Sequence, residues 1–395
     1  MKRTFGSLLV FLFLPAAAWS QTAPKEVRVS APGRLDWKFG SFGFGPGSDK
    51  MENYDSTKQR YVLYVPKNYK ADKAWPIVIF ISPGDSPGGW TSWKTVCEKK
   101  GVFFCSPYGA GNSTKAGKRT RIVLDMLDDI RRKYLIDPDR TYLSGLSGGG
   151  RMACAIAFAL PEWFGGVAPI CGTNPIAGPA CLRHRIQERL SVAFITGSTD
   201  FNRKENEEYM APYFKELDIR SKLWVVPKLG HTIPGADTLA TVYAWLEEDL
   251  PRRQADVKAR PGLAMSAKET PSSAEQAARV VDTALADLKQ PERVWRGVCL
   301  LQGVVARWSK TEPGLKARKI LKDLVNDEKL LQIAGEQGAE DEQKSLSAQA
   351  KAFERFGQRD RALEAWDLLA RNQPDTPAGK NAAIQAKRLH EGKKK

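Results

Sequence analysis

The chain has 395 residues, 42% of them hydrophobic, 9% aromatic and 27% charged, which is enough apolar material for a sizeable core. Such a length allows two domains of roughly 100 to 200 residues and excludes a small disulfide scaffold, a collagen or a coiled coil. The 61 Lys and Arg outweigh the 45 Asp and Glu, and the resulting charge of +16 suits an anionic polymer, wall or membrane surface. A nucleic-acid reader would need a basic cluster interleaved with exposed aromatics or a recognisable motif; the sequence has neither, so no nucleic acid is expected as a partner.

Lys2 and Arg3 open the chain, Leu8 to Leu14 form a short apolar run, and Ala16-Ala17-Ala18-Trp19-Ser20 supplies the small residues a signal peptidase reads. Residues 1–20 therefore read as a signal peptide cleaved after Ser20, and the protein as secreted or periplasmic. The run falls well short of the roughly 20 apolar residues of a spanning helix. No later stretch is long enough, so no membrane span is expected after cleavage. In an exported chain the six cysteines can pair. Cys171 with Cys181, across a Gly and Pro loop, and Cys97 with Cys105 are the expected disulfides. Cys154 and Cys299 sit in apolar helical patterns as small buried hydrophobes. With no Cys-x-x-Cys spacing and three His, no metal site is expected.

Residues 26 to 65 read as strands and turns, with a glycine and aromatic stretch from Phe39 to Gly47 and a β-type run from Arg60 to Val65. Ile77 to Ile81 is a continuous apolar β-branched run of the kind a buried parallel strand shows, and Val102 to Cys105 and Thr141 to Ser144 are similar. Between the last two, Ile122, Leu124, Met126, Leu127, Ile130 and Tyr134 recur at helical spacing. The alternation continues through strands at Gly166 to Ile170, Val192 to Thr196 and Leu223 to Val226, with helices near 151–160, 204–217 and 236–249. This predicts an α/β domain over 26–250 with a mostly parallel sheet covered on both faces. Residues 251–274, with Pro251, Pro261 and Pro271 and no apolar periodicity, read as a linker.

Residues 275–395 read as a smaller all-α C-terminal domain. An irregular helical bundle is the expected arrangement; the alternative is a tetratricopeptide-like helical hairpin, which Ala352, Phe353, Phe356, Gly357, Ala362, Leu363, Ala365, Trp366, Leu369 and Pro374 resemble. The stretch 312–317 echoes Thr376-Pro377-Ala378-Gly379-Lys380. Lys393 to Lys395 read as a solvated tail.

Gly145-Leu146-Ser147-Gly148-Gly149 is a nucleophile-elbow pattern, in which a sharp strand-to-helix turn lifts a serine hydroxyl above a sheet. Its context agrees, since Thr141-Tyr142-Leu143 precedes it as a strand and Met152, Ala153, Ile156, Ala157 and Leu160 follow as a helix. A serine nucleophile needs a base, usually His, oriented by a carboxylate. His184 lies between Arg183 and Arg185, which disfavours an imidazolium, and His390 sits in a lysine-rich tail. His231 remains, in a turn after the strand around Trp224 to Val226. The chain order Ser, acid, His confines the acid to 148–230. Asp200, at the end of Thr196-Gly197-Ser198-Thr199, is the candidate, ahead of Asp218 and Glu205. Gly148 offers one N–H to an oxyanion, and Gly84 or Asp85 the other, because Pro83 has none. Trp90 and Trp93, on the same connection, wall a substrate cleft or pack in the core.

Tyr61-Val62-Leu63-Tyr64-Val65-Pro66, Ile136-Asp137-Pro138-Asp139-Arg140 running into the Ser147 elbow, and Gly230-His231-Thr232-Ile233-Pro234-Gly235 together resemble exported α/β-hydrolases of the poly(3-hydroxybutyrate) depolymerase and feruloyl esterase type. The resemblance covers residues 60–250. It implies an α/β-hydrolase fold and a serine esterase with the triad Ser147, Asp200 and His231 and no cofactor. The sequence departs from the family at Ser82-Pro83, where His-Gly is usual. An ester, attached to a polysaccharide, part of a polyester or small, is the expected substrate, cleaved through an acyl-enzyme. Two other readings stand beside it: a serine peptidase of the same fold, and a vestigial hydrolase that binds an anionic surface or a protein through its basic C-terminal helices.

Overall fold

The computed structural model describes residues 23–35, 54–176 and 179–391. Residues 1–20, expected as a signal peptide, the stretch from Phe39 to Gly47 and Lys393 to Lys395 lie outside the described residues. Eight strands form one sheet: β1 Lys25–Arg28, β2 Arg60–Tyr64, β3 Trp75–Ile81, β4 Phe103–Pro107, β5 Ile136–Leu146, β6 Gly166–Ile170, β7 Ser191–Gly197 and β8 Ser221–Val226. Their spatial order is β1-β2-β4-β3-β5-β6-β7-β8. β1 and β2 pair antiparallel, β2 meets β4 antiparallel, and every pairing from β4 to β8 is parallel.

The period-2 geometry of a strand sorts its side chains between two cores. Ile77, Ile79, Ile81, Phe103 and Leu143 face α2 (Ala116–Lys133) and α3 (Gly148–Ala159), whose Ile122, Met126, Met152 and Ile156 are buried there. Val78, Phe80, Phe104 and Tyr142 face α1 (Trp90–Lys100) and α6 (Ala236–Glu247), against Trp93, Val96, Leu239 and Val242. Because the strands from β3 to β8 run the same way, their following loops emerge at one edge. Ile81 lies beside Gly145, Leu146 beside Ile170, and Gly197 beside Val226. That edge is where an open α/β sheet binds its ligands.

Two elements of the expected organisation are built differently. The segment 251–274, expected as a linker, starts as helix α7 (Leu250–Ala259), with Pro251 in the first turn, where its missing N–H costs nothing. Fully buried Arg253 donates to the carbonyls of Gly165 at 3.1 Å and Leu246 at 2.8 Å and to Tyr142 Oη at 3.0 Å. A charged residue interrupts an apolar pattern, but a buried guanidinium with backbone acceptors fastens the helix under the sheet.

The expected disulfides are also absent: all six cysteines are unpaired and buried. Cys97 and Cys105 belong to cores on opposite faces of the sheet. Cys171 directly follows β6, whereas Cys181, in α4 (Ala180–Arg189), packs its sulfur against Gly303. Proximity in sequence brought each pair together on paper, and the alternation of strand and helix separates them.

After the cap of Ser272 and Glu275, helices α8 (Ser273–Asp287), α9 (Val294–Trp308), α10 (Glu312–Leu324), α11 (Glu328–Arg355), α12 (Arg359–Asn372) and α13 (Pro377–Glu391) follow one another. The faint echo in sequence has a structural counterpart. Thr311 accepts from Gly314 N at 3.1 Å to start α10, and Thr376 accepts from Gly379 N at 3.0 Å to start α13. These helices dock on the sheet domain through Tyr209, whose ring stacks on Phe353 and Phe356 at 5.1 and 5.7 Å. Arg183 and His184 of α4 converge on Asp341 of α11, at 2.5 and 3.0 Å.

The buried thiols give a direct check. The native protein should react with little or no Ellman's reagent, and the unreduced protein in guanidinium should release all six thiols; four missing thiols would restore the two expected disulfides.

Candidate active site

Ser147 stands between the last residue of β5 and the first of α3, with φ 55° and ψ −121°. Those angles cost a residue with a side chain about 1–3 kcal/mol, and the neighbours enforce them. Its N–H donates to Ile170 O at 2.8 Å, and its carbonyl accepts from Arg151 N at 3.1 Å. The flanking glycines admit backbone where a side chain would stand. A β-carbon on Gly149 would lie 2.0 Å from Ile81 O, and one on Gly145 would lie 2.5 Å from the Gly149 carbonyl carbon. Ser147 is half-buried at the carboxyl edge of the sheet.

Asp200 and His231 arrive at the same edge from the loops after β7 and β8. His231 Nδ1 lies 2.7 Å from Asp200 Oδ1, and Asp200 Oδ2 accepts from Thr196 Oγ1 at 2.6 Å. Asn202 N donates to Asp200 Oδ1 at 3.1 Å. Burial alone would raise this carboxyl, but the hydrogen bonds from Thr196, His231 and Asn202 outweigh it and hold it below the usual carboxylate range. An ionised Asp200 keeps the proton of His231 on Nδ1 and leaves Nε2 as the acceptor. The other two acids are committed elsewhere. Glu205 pairs with Arg151 at 2.6 Å, and Asp218 pairs with Lys344. His184 is buried, and burial followed by the charges of Arg296 and Arg183 pulls its pKa down, in spite of Asp341. His390 is exposed, 3.8 Å from Asp367.

Two residues the sequence reading passed over complete this corner. The ring of Phe201 stacks on His231 at 4.1 Å and 21° although Phe201 is 75% exposed. Its place directly after Asp200 is the one signal that could have found it. Cys171 lies beneath the pair with φ 56°, its sulfur 3.8 Å from Gly230 O and 3.7 Å from Thr232 O, while Asn202 Nδ2 donates to its carbonyl at 2.8 Å. Its sulfur, an Asp200 oxygen and a His231 nitrogen lie within 4.8 Å of one another. Burial, reinforced by Asp200, pushes this thiol up to about 12, so it stays protonated and acts as a further donor beneath the carboxylate.

The remaining expectations are redistributed. Trp93 is fully buried in the core between α1 and the sheet and walls no cleft. Its spacing with Val96 and Cys97 on one helical face was the signal for that. Trp90 is half-buried, its ring 4.8 Å from Tyr64 and 5.4 Å from Phe104, on the β2 and β4 side of the sheet. Gly148 opens α3, and its N–H, in the first turn, has no partner within the helix. Gly84 turns its N–H to Ser82 Oγ at 3.2 Å. Asp85 uses its carboxylate to hold the loop after β4, accepting from Gly111 N at 3.1 Å and Ser113 Oγ at 3.4 Å.

No protein-family model matches the chain. Over 62 residues, 16% of this chain and 15% of the relative, it is 36% identical to poly(3-hydroxyalkanoate) depolymerase C of Paucimonas lemoignei. Over 160 residues, 40% of this chain and 43% of the relative, it is 32% identical to a protein of Nocardia uniformis subsp. tsuyamanensis whose name gives it as an esterase, NocK. A solved ferulic acid esterase is 14% identical with a TM-score of 0.42, covering 50% of this chain and 95% of its own. The chain spans less than half the length of each of these two curated relatives.

Because its hydrogen bonds favour the ionised carboxyl, Asp200 adds stability that is complete above the unfolded value of about 3.9 and is lost as pH falls through the lower folded value. Asp200→Asn should therefore cost about 1–2 kcal/mol in urea unfolding at pH 7, and the gap to the unmodified protein should narrow from pH 5 towards pH 3. A gap that widens on acidification would contradict the assignment. By its sheet order and its strand-to-helix serine turn the chain has the α/β-hydrolase fold, and over part of its length it is similar to a poly(3-hydroxyalkanoate) depolymerase and to an esterase.

Proposed function

We propose that the protein is an exported serine esterase that cleaves carboxylic esters through an acyl-enzyme. The observation that carries this reading is the conjunction of the Ser147 turn at φ 55° with the His231 and Asp200 pair, 2.7 Å apart, at the same edge of the sheet. In this mechanism His231 Nε2 takes the proton of Ser147 as the hydroxyl attacks the ester carbonyl. It then gives the proton to the leaving alcohol, and next activates water against the acyl-serine. Asp200 stays ionised throughout, holding the ring's tautomer and stabilising the imidazolium that forms. The stacked face of Phe201 adds to that stabilisation.

The substrate we favour is an ester carried on a polymer, whether a polyester or an esterified polysaccharide. Support comes from the openness of the site, where Phe201 stands 75% exposed beside the catalytic ring, and from the charge of +16, which suits an anionic surface. The names of the relatives, a polyhydroxyalkanoate depolymerase and an esterase, point the same way. Export rests on the basic start, apolar run and small-residue site in residues 1–20. Among the described residues no helix is long and apolar enough to cross a membrane.

Residues 21–395 should hydrolyse p-nitrophenyl acetate and butyrate, and Ser147→Ala, folded to the same melting temperature, should lose about 10³-fold or more in kcat. Turnover within tenfold of the unmodified protein in that variant would refute the nucleophile. Turnover of peptide amides alone would transfer the site to the peptidases.

A further inference from the structure

The departure at Ser82-Pro83 leaves a gap in the chemistry that the neighbouring loop fills. An acyl-transfer site needs two hydrogen-bond donors aimed at the oxygen that becomes negative. Gly148 N–H is one. In the loop after β3, Pro83 has no N–H and Gly84 N–H is engaged by Ser82 Oγ at 3.2 Å. Asp85 is locked from the other side: its carbonyl accepts from Gly109 N at 2.7 Å. Gly111 presses so closely that a β-carbon there would lie 2.8 Å from the Asp85 nitrogen.

What does reach Gly148 is Asn112. A β-carbon on Gly148 would lie 2.0 Å from the Asn112 carboxamide oxygen and 2.9 Å from its nitrogen, so this amide lies directly across the residue that follows the nucleophile. Its backbone is fixed, since Asn112 N donates to Pro83 O at 2.8 Å. The loop is fixed to the elbow as well. Buried Arg119 donates from Nε to Ala110 O at 2.8 Å and from Nη2 to Gly148 O at 3.2 Å. The side chain itself faces solvent. A half-turn about its Cβ–Cγ bond exchanges its oxygen and nitrogen, so the amide can present Nδ2 to an arriving carbonyl oxygen.

We propose that the Asn112 carboxamide is the second oxyanion donor of this site, taking the place of a backbone N–H from the loop after β3. The inference rests on the serine-esterase reading above. It also accounts for Gly148, because any side chain at that position would displace the amide.

The test compares Asn112→Ala and Asn112→Asp with the unmodified protein and Ser147→Ala, all as residues 21–395, on p-nitrophenyl butyrate. A phenylboronic acid, which forms a tetrahedral adduct on the serine, serves as the probe of oxyanion binding. Loss of the donor should lower kcat about 10²- to 10³-fold with KM within about threefold, and should weaken boronate inhibition at least tenfold. Asp, which has the same shape but cannot donate when ionised, should be no better than Ala. It carries the test should the Ala variant prove unstable. Serine-dependent turnover that survives both substitutions within twofold, or a loss confined to KM, overturns the Asn112 assignment and leaves the esterase reading intact. If the unmodified protein shows no turnover that depends on Ser147, the esterase reading fails and this inference falls with it.

Discussion

The backbone at Ser147 is the constraint on which the rest of the site depends. A residue with a β-carbon does not hold φ 55° and ψ −121° unless its surroundings forbid the alternatives. Here they do, on three sides. β3 presses its terminal carbonyl against Gly149, β6 accepts the Ser147 N–H, and Gly172 lies so close that a β-carbon there would be 2.4 Å from Ser147 O. Two of these contacts come from the parallel strands flanking β5 and the third from the turn just after β6, so the central sheet imposes the geometry and the serine turn only yields to it. The apolar runs that bury these strands therefore act on Ser147 indirectly, by holding β3, β5 and β6 in register at their carboxyl ends.

The same edge explains which parts of the site were legible in sequence. Ser147 lies in a local signature, a strand, a turn with glycines and a helix, so it could be read from neighbouring residues alone. His231 and Asp200 emerged because the chain has three histidines and the fold orders its triad. The two histidines set aside prove to be one buried beside Arg183 and Asp341 and one exposed near the C-terminal end of α13. Asn112, Cys171 and Phe201 carry no such signature. Asn112 meets Gly148 across 35 intervening residues, and its partner has no side chain to reveal the contact. Trp93 could not be divided between cleft and core for a related reason. Loop residues and helix residues look alike at the start of α1 until the spacing of Trp93, Val96 and Cys97 is read as one buried face.

Buried charge is the second thing that composition conceals. Arg253, Arg185 and Arg189 are almost wholly buried, and each is surrounded by carboxylates or carbonyls. Arg185 alone meets Glu162, Glu188 and Asp256. These contacts join α4, α7 and the turn at Pro161–Trp163. A segment rich in Arg and Pro thus reads as solvated connection and folds as a clamp. Further along, the aromatic stack of Tyr209, Phe353 and Phe356 holds the C-terminal helices against the helix that starts one turn after Asp200. The basic helical region is thereby attached close to the loop that carries Asp200, whatever surface its outer faces meet.

The central claim, that the strained turn makes Ser147 the single activated nucleophile of the chain, is tested most directly by covalent labelling of the intact protein. Treatment with a fluorophosphonate, followed by mass spectrometry of the protein and its peptides, should show one phosphonyl adduct. That adduct should map to Ser147 and vanish in His231→Ala. A protein that stays unlabelled while folded, or that carries the adduct at another residue, would contradict the account.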